Sequence, residues 1–207
     1  MKMFNLIGLL LIAILNINIM QAQNPSWLDT QAYPYKPHYF ELDGAQMHYV
    51  DEGEGEILLF IHGTPSWSFD FRHQIQNLSK TYRCMAIDHI GFGLSDKPKD
   101  YPYSTQQHAS NLEKFILEKD LQNITLIVHD FGGPIGMSVA EKYPERFKRF
   151  VLFNSWLWSA EKDPAFQKMK KVLRSPLLPF LYLNMNFSPS YLLPNSFGER
   201  KLSKSLK

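Results

Sequence analysis

The chain has 207 residues, of which 44% are hydrophobic, 14% aromatic and 20% charged, with a formal net charge of +2. That composition is globular and excludes a low-complexity or repeat chain. So small a net charge leaves no broad basic field for nucleic acid, and the single cysteine, Cys84, excludes an internal disulfide.

The N-terminus differs from the rest of the chain. Met1-Lys2 is positive, Leu6 to Leu15 ("LIGLLLIAIL") is apolar, and small and polar residues come next in "MQAQN". This three-part layout predicts a secretory signal peptide over residues 1–22, cleaved after Ala22. Asn16 and Asn18 interrupt the run well short of the ~20 apolar residues needed to span a bilayer, so no stable membrane insertion is expected. The expected location is the periplasm or the medium; the alternative is an anchor formed by an uncleaved N-terminal segment. "NLS" at Asn77 and "NIT" at Asn123 match the glycosylation sequon.

"YPYKPHYF" reads as an aromatic leader packed over the domain. "HYFEL" and "AQMHYVDEG" flank Asp43-Gly44, which predicts a hairpin. "ILLFIHG" is a continuous apolar run of the kind buried on both faces of a parallel sheet. Residues 67–78 read as helical, and "YRCMAIDH" as the next buried strand, with Cys84 an inert thiol inside it. Residues 104–120 read as the clearest helix, with Leu112, Phe115, Ile116 and, just beyond, Leu121 at near-helical spacing. "NITLIVHD" is a further strand, residues 132–143 a helix stopped by Pro144, and "FKRFVLFNS" another strand. Strands alternating with helices imply right-handed crossovers and a mostly parallel α/β sheet. From Trp156 the pattern changes. "FQKMKKVL" predicts a helix. "SPLLPFLYLNMNFSPSYLLP", broken by Pro176, Pro179, Pro189 and Pro194, does not read as another βα unit. It suits either part of a lid or burial against the body. The end, "GERKLSKSLK", reads as a solvated basic tail.

Three motifs fall at the ends of three buried strands, where open α/β sheets bind ligands. In "HGTP" (His62 to Pro65), Gly63 lets the backbone turn beneath a ligand and frees the Thr64 N–H to face it. "DHIGFGLSDKP" (Asp88 to Pro98) reads as a shaping loop, with Ser95 and Asp96 turning it. "VHDFGGPIG" places Asp130 where a strand meets a helix, with Gly132 and Gly133 allowing tight packing. The helix N-terminus favours an ionised carboxylate there. An Asp that only caps the helix is the alternative. A carboxylate nucleophile suits attack on saturated carbon, forming an alkyl ester that water must then hydrolyse. Backbone N–H groups of Thr64 and Phe131 would hold the developing charge.

Together these motifs, with "VLFNSWLW", resemble the α/β-hydrolase family and within it the haloalkane dehalogenases, over roughly residues 39–158. The resemblance implies an α/β-hydrolase fold, Asp130 as nucleophile, Thr64 and Phe131 as oxyanion or halide donors, a small apolar organic substrate, and neither cofactor nor metal. Two departures stand out. Many relatives grip the halide with an indole at the position of Phe131, which has no side-chain donor, and with Asn or Glu at the position of Thr64. Epoxide hydrolases share the Asp and the "HGxP" turn and protonate the epoxide from lid tyrosines, for which Tyr182 and Tyr191 are candidates. A ligand-binding homologue without catalysis is a further alternative.

The family's base is a His after the last strand. All seven His, from His38 to His129, precede Asp130. His62 and His129 flank the site, where they orient backbone or line the pocket. The supporting acid, in relatives with Asn at the position of Asn154, comes from a later strand. The resulting expectation is a signal peptide, a partial hydrolase core at 23–155, and a partial lid with a basic tail at 156–207, truncated within the lid. It also predicts an exposed apolar edge at "FKRFVLFNS", open to self-association.

Overall fold

The computed structural model describes residues 25–157, 162–185, 187 and 190. The expected signal peptide, the basic tail and Tyr191 lie outside the described residues. The chain divides into two units, Met1–Leu157 and Trp158–Lys207.

The first unit is built on one six-stranded sheet. Its strands are β1 (His38–Leu42), β2 (Ala45–Glu52), β3 (Ile57–Ile61), β4 (Arg83–Ile87), β5 (Ile124–His129) and β6 (Phe147–Phe153). Their spatial order is β1-β2-β4-β3-β5-β6. β1, β2 and β4 pair antiparallel. The pairs β4–β3, β3–β5 and β5–β6 are parallel. The β1–β2 hairpin turns at Asp43-Gly44, where φ is 44° and 87°. Two successive positive φ values are what a tight hairpin needs, and Asp-Gly supplies them at low strain.

Helix α1 (Arg72–Leu78) continues a short 3-10 turn at Ser68–Phe71, α2 spans Thr105–Glu118 and α3 spans Gly132–Lys142. Ser104 caps α2, its hydroxyl accepting from the Gln107 N–H at 3.1 Å. Side-chain alternation along the central strands feeds two cores. Leu59, Ile61, Met85 and Ile87 join Leu112, Phe115 and Val139. Leu58, Phe60, Cys84 and Ala86 join Tyr33, Phe71 and Ile75. Both faces are therefore apolar, which is why these strands read as unbroken hydrophobic runs. The leader contributes Tyr33, which is buried against Trp67 with ring centroids 4.8 Å apart. Burial pushes the Cys84 thiol up to about 11, which keeps it protonated and unreactive.

β6 is the exception. Among the described residues it ends the sheet, and Phe150, Val151, Leu152 and Phe153 are 44%, 37%, 42% and 46% exposed. An apolar strand with an unpaired edge carries unsatisfied backbone donors and acceptors beside dry side chains.

The second unit contains α4 (Pro164–Leu173) and α5 (Leu177–Met185). "FQKMKKVL" lies within α4, and the Asp163 carboxylate accepts from the Phe166 N–H at 3.2 Å at its start. The proline-broken reading of the next stretch fails at α5. Pro179 sits in its first turn, where a missing N–H forfeits no intrahelical bond. Among the described residues no helix is long and apolar enough to cross a membrane.

Phe115 is fully buried between Phe40 and Tyr49, with ring centroids at 5.2 and 5.1 Å. Phe115→Ala is expected to cost about 3–5 kcal/mol in denaturant-induced unfolding, by lost transfer energy and a residual cavity.

Candidate functional site

The carboxyl ends of β3, β4 and β5 converge, as the sequence motifs require. After β5 the chain enters α3 through Asp130, whose φ is 50°. A non-glycine residue in the left-handed region persists only where its surroundings hold it. Here the Asp130 carbonyl accepts from the Gly133 N–H at 3.1 Å and from the Ser155 hydroxyl at 2.7 Å. Small neighbours make the corner possible. A Cβ on Gly132 would lie 2.2 Å from the Ile61 carbonyl oxygen, and one on Gly133 would lie 1.8 Å from Ser155 Oγ.

The Asp130 carboxylate does not cap α3. The residue flanking that helix is Phe131, and no side chain caps it. Asp130 Oδ1 accepts instead from the Thr64 N–H, 2.9 Å away on the turn after β3. Among the described residues Oδ2 receives no donor. The Thr64-Pro65 bond is cis. Gly63 is required at this approach, since a Cβ there would fall 2.3 Å from Asp130 Cβ. Phe131 is 38% exposed and stands edge-on to Trp156, with centroids 5.0 Å apart. Among the described residues its backbone N–H has no acceptor.

The two histidines flanking the motifs behave differently. His62 is fully buried and both of its ring nitrogens are engaged. Nδ1 lies 2.7 Å from the Gly63 carbonyl oxygen, and Nε2 accepts from the His89 N–H at 3.0 Å. His129 lines a pocket with Asp70, Phe71, Gln74 and Phe153, a set that does not include Asp130.

Asp88, at the end of β4, organises the neighbouring loop. Its Oδ1 accepts from the Ser68 N–H at 2.9 Å. Its Oδ2 lies 2.9 Å from His48 Nδ1 and accepts from the Leu94 N–H at 2.9 Å. Burial alone would raise the Asp88 carboxyl, but the hydrogen bond and charge of His48 pull it below the ordinary range. Ser95 completes the hub, donating to the Asp88 carbonyl at 2.6 Å and accepting from the His48 N–H at 2.8 Å. Sequence reading assigned this loop to shaping but missed His48, whose strand pattern marks it only as an inward-facing residue. Among the described residues no cluster of three or more His, Cys, Asp or Glu could hold a metal ion.

Three buried imidazoles lie in a tilted row beside this loop. Ring centroids are 4.5 Å apart for His62–His89 and 4.8 Å for His89–His108. Among the described residues neither ring nitrogen of His89 has a partner, nor does Nδ1 of His108. An imidazolium would need acceptors for two N–H groups, so this row favours neutral rings. Burial lowers His62 against the opposing charge of Asp88. Burial, then His62 and His108, hold His89 well below its usual range. Burial and His62 bring His108 down to about 4. In the unfolded chain these groups titrate near ~6.5. Below that pH the unfolded state binds protons that the fold refuses, so stability present above it is lost on acidification. The unfolding free energy is expected to fall between pH 7 and pH 5 by up to about 1.4 kcal/mol per pH unit for each histidine. Urea midpoints measured across that range should flatten in His89→Phe.

Residues 56–205 match the α/β-hydrolase fold family. A cis-3-alkyl-4-alkyloxetan-2-one decarboxylase of Shewanella oneidensis is 46% identical over 131 residues, covering 62% of this chain and 41% of that protein. Haloalkane dehalogenase 2 of Mycobacterium tuberculosis is 37% identical over 175 residues, covering 84% and 61%. The crystal structure of a haloalkane dehalogenase from Agrobacterium tumefaciens superposes with a TM-score of 0.71 at 28% identity, covering 82% of this chain and 59% of that one. The chain thus spans between 41% and 61% of the length of these two curated relatives. With the parallel sheet, the strand-to-helix corner and the turn opposite it, these matches show that the chain belongs to the α/β-hydrolase family and is haloalkane dehalogenase-like within it.

Proposed function

We propose that Asp130 is a nucleophile that displaces a leaving group from saturated carbon in a small apolar substrate, as in haloalkane dehalogenation. The observation that carries this reading is the Thr64 N–H on Asp130 Oδ1 at 2.9 Å, with Oδ2 left without a donor among the described residues. Oδ2 attacks the carbon and the carbon–halogen bond breaks, the halide leaving with the electron pair. Oδ1 then becomes the carbonyl oxygen of the alkyl ester. The Thr64 N–H is already bonded to it, and the Phe131 N–H, on the next residue, is the second candidate donor. Both would stabilise the oxyanion that forms if water attacks the ester.

Hydrolysis of that ester needs a base. No histidine follows Asp130 in these 207 residues. His62 has both nitrogens engaged and is no base for water. Of the two steps, alkylation is the one that the Asp130 carboxylate and the Thr64 N–H support directly.

A second reading draws on the 46% identity to the oxetan-2-one decarboxylase. Attack by Asp130 on the saturated ring carbon of a β-lactone would break the ring C–O bond and free a carboxylate. Loss of CO2 would then form the C=C bond and expel Asp130, with no water step. The exposed apolar edge of β6 further supports self-association of this chain.

Incubation of the full chain with 1-bromohexane is expected to give one persistent alkyl adduct, mapped to Asp130 by mass spectrometry and absent from Asp130→Asn. Absence of adduct from the folded chain, or repeated turnover, would overturn the alkylation reading. Conversion of a cis-dialkyl oxetanone to alkene and CO2 without a retained adduct would select the second. Sedimentation velocity is expected to show concentration-dependent association, reduced by Val151→Lys.

A further inference from the structure

The Thr64 N–H reaches Asp130 only if the turn after β3 keeps its shape. The geometry points to His62 as the positioning residue that sets this turn, acting through its neutral Nδ1–H tautomer. This rests on Asp130 being the nucleophile, as proposed above.

The tautomer follows from its two partners. The His89 backbone N–H is an obligate donor, and it meets His62 Nε2 at 3.0 Å. Nε2 must therefore be unprotonated. The Gly63 carbonyl is an obligate acceptor, and it lies 2.7 Å from Nδ1. The single ring proton is therefore on Nδ1. One imidazole thus ties the peptide between Gly63 and Thr64 to the loop after β4. The other side of that peptide carries the Thr64 N–H, 2.9 Å from Asp130 Oδ1. A peptide plane whose oxygen is fixed has its next N–H fixed too, because the two lie in one rigid unit. Gly63 itself is pressed against Asp130 and cannot hold the turn through a side chain of its own.

The surroundings preserve this tautomer. His62 is fully buried, with the His89 ring on one contact and Phe92 on another, centroids 4.5 and 5.4 Å away. A charged ring would turn Nε2 into a donor facing the His89 N–H, breaking one of the two bonds that hold the turn. Burial keeps the ring uncharged, with His129 adding to that tendency and Asp88 and Asp70 opposing it.

The test uses the 15N-labelled full chain and 1-bromohexane as probe. His62→Phe keeps the ring volume and removes both hydrogen bonds. His62→Gln keeps one donor and one acceptor. In wild type the Thr64 amide proton should resonate downfield as a donor to a carboxylate, and Asp130→Ala fixes its position without that acceptor. His62→Phe is expected to move the Thr64 signal toward the Asp130→Ala position. It should also slow saturated alkylation of Asp130 by about a hundredfold, the order of loss expected when the attacking carboxylate is no longer held in line with the carbon, with half-saturation unchanged. His62→Gln is expected to retain most of the rate and of the shift. The inference is overturned if His62→Phe alkylates at the wild-type rate, or if either variant loses rate while the Thr64 signal stays put. Should His62→Phe not fold, a His62→Gln variant with the Thr64 signal at the Asp130→Ala position overturns it equally. A wild-type chain that forms no adduct refutes the nucleophile reading instead, and the Thr64 signal still decides whether His62 sets the turn.

Discussion

A single hydrogen bond joins the two halves of the candidate site. The Thr64 N–H, on the turn after β3, meets Asp130 Oδ1, at the corner after β5. These strands are neighbours in the sheet, paired in parallel from Leu58↔Thr125 to Ile61↔Val128. Parallel pairing brings both carboxyl ends to one edge, so residues distant in sequence meet there without any long loop. The bond also divides the carboxylate. One oxygen is held by a backbone donor that cannot titrate, and the other receives no donor among the described residues.

Holding that corner costs strain, and the surrounding residues supply the restraint. Asp130 sits at a positive φ and its carbonyl takes two hydrogen bonds. Gly63, Gly132 and Gly133 each stand where a Cβ would collide with the opposing chain. The adjoining loop is held by a different device, the buried Asp88 carboxylate. It gathers His48, Ser68 and Leu94 from three segments. A buried charge is tolerated there because its oxygens are met by donors, and one lost partner would leave it uncompensated.

Much of this was legible in the residues. Runs such as "ILLFI" and "TLIV" declare strands covered on both faces, and Asp43-Gly44 declares the hairpin. The glycines around Asp130 declare the corner, because no other residue fits so close an approach. What the sequence did not reveal depends on contacts across the sheet. His48 and Asp88 are 40 positions apart, and nothing in "AQMHYV" distinguishes a hydrogen-bonded histidine from a packed one. The role of His62 likewise depends on His89, 27 positions later. Helix α5 was missed for a local reason. Proline counts against a helix in general, yet Pro179 falls in the one turn that tolerates it.

The bond between Thr64 and Asp130 has a direct spectroscopic signature. In a 13C,15N-labelled chain, scalar coupling across the hydrogen bond from the Thr64 nitrogen to the Asp130 carboxyl carbon is predicted to be measurable at neutral pH. A folded chain with no such coupling, or with the Thr64 amide coupled to another acceptor, would contradict it.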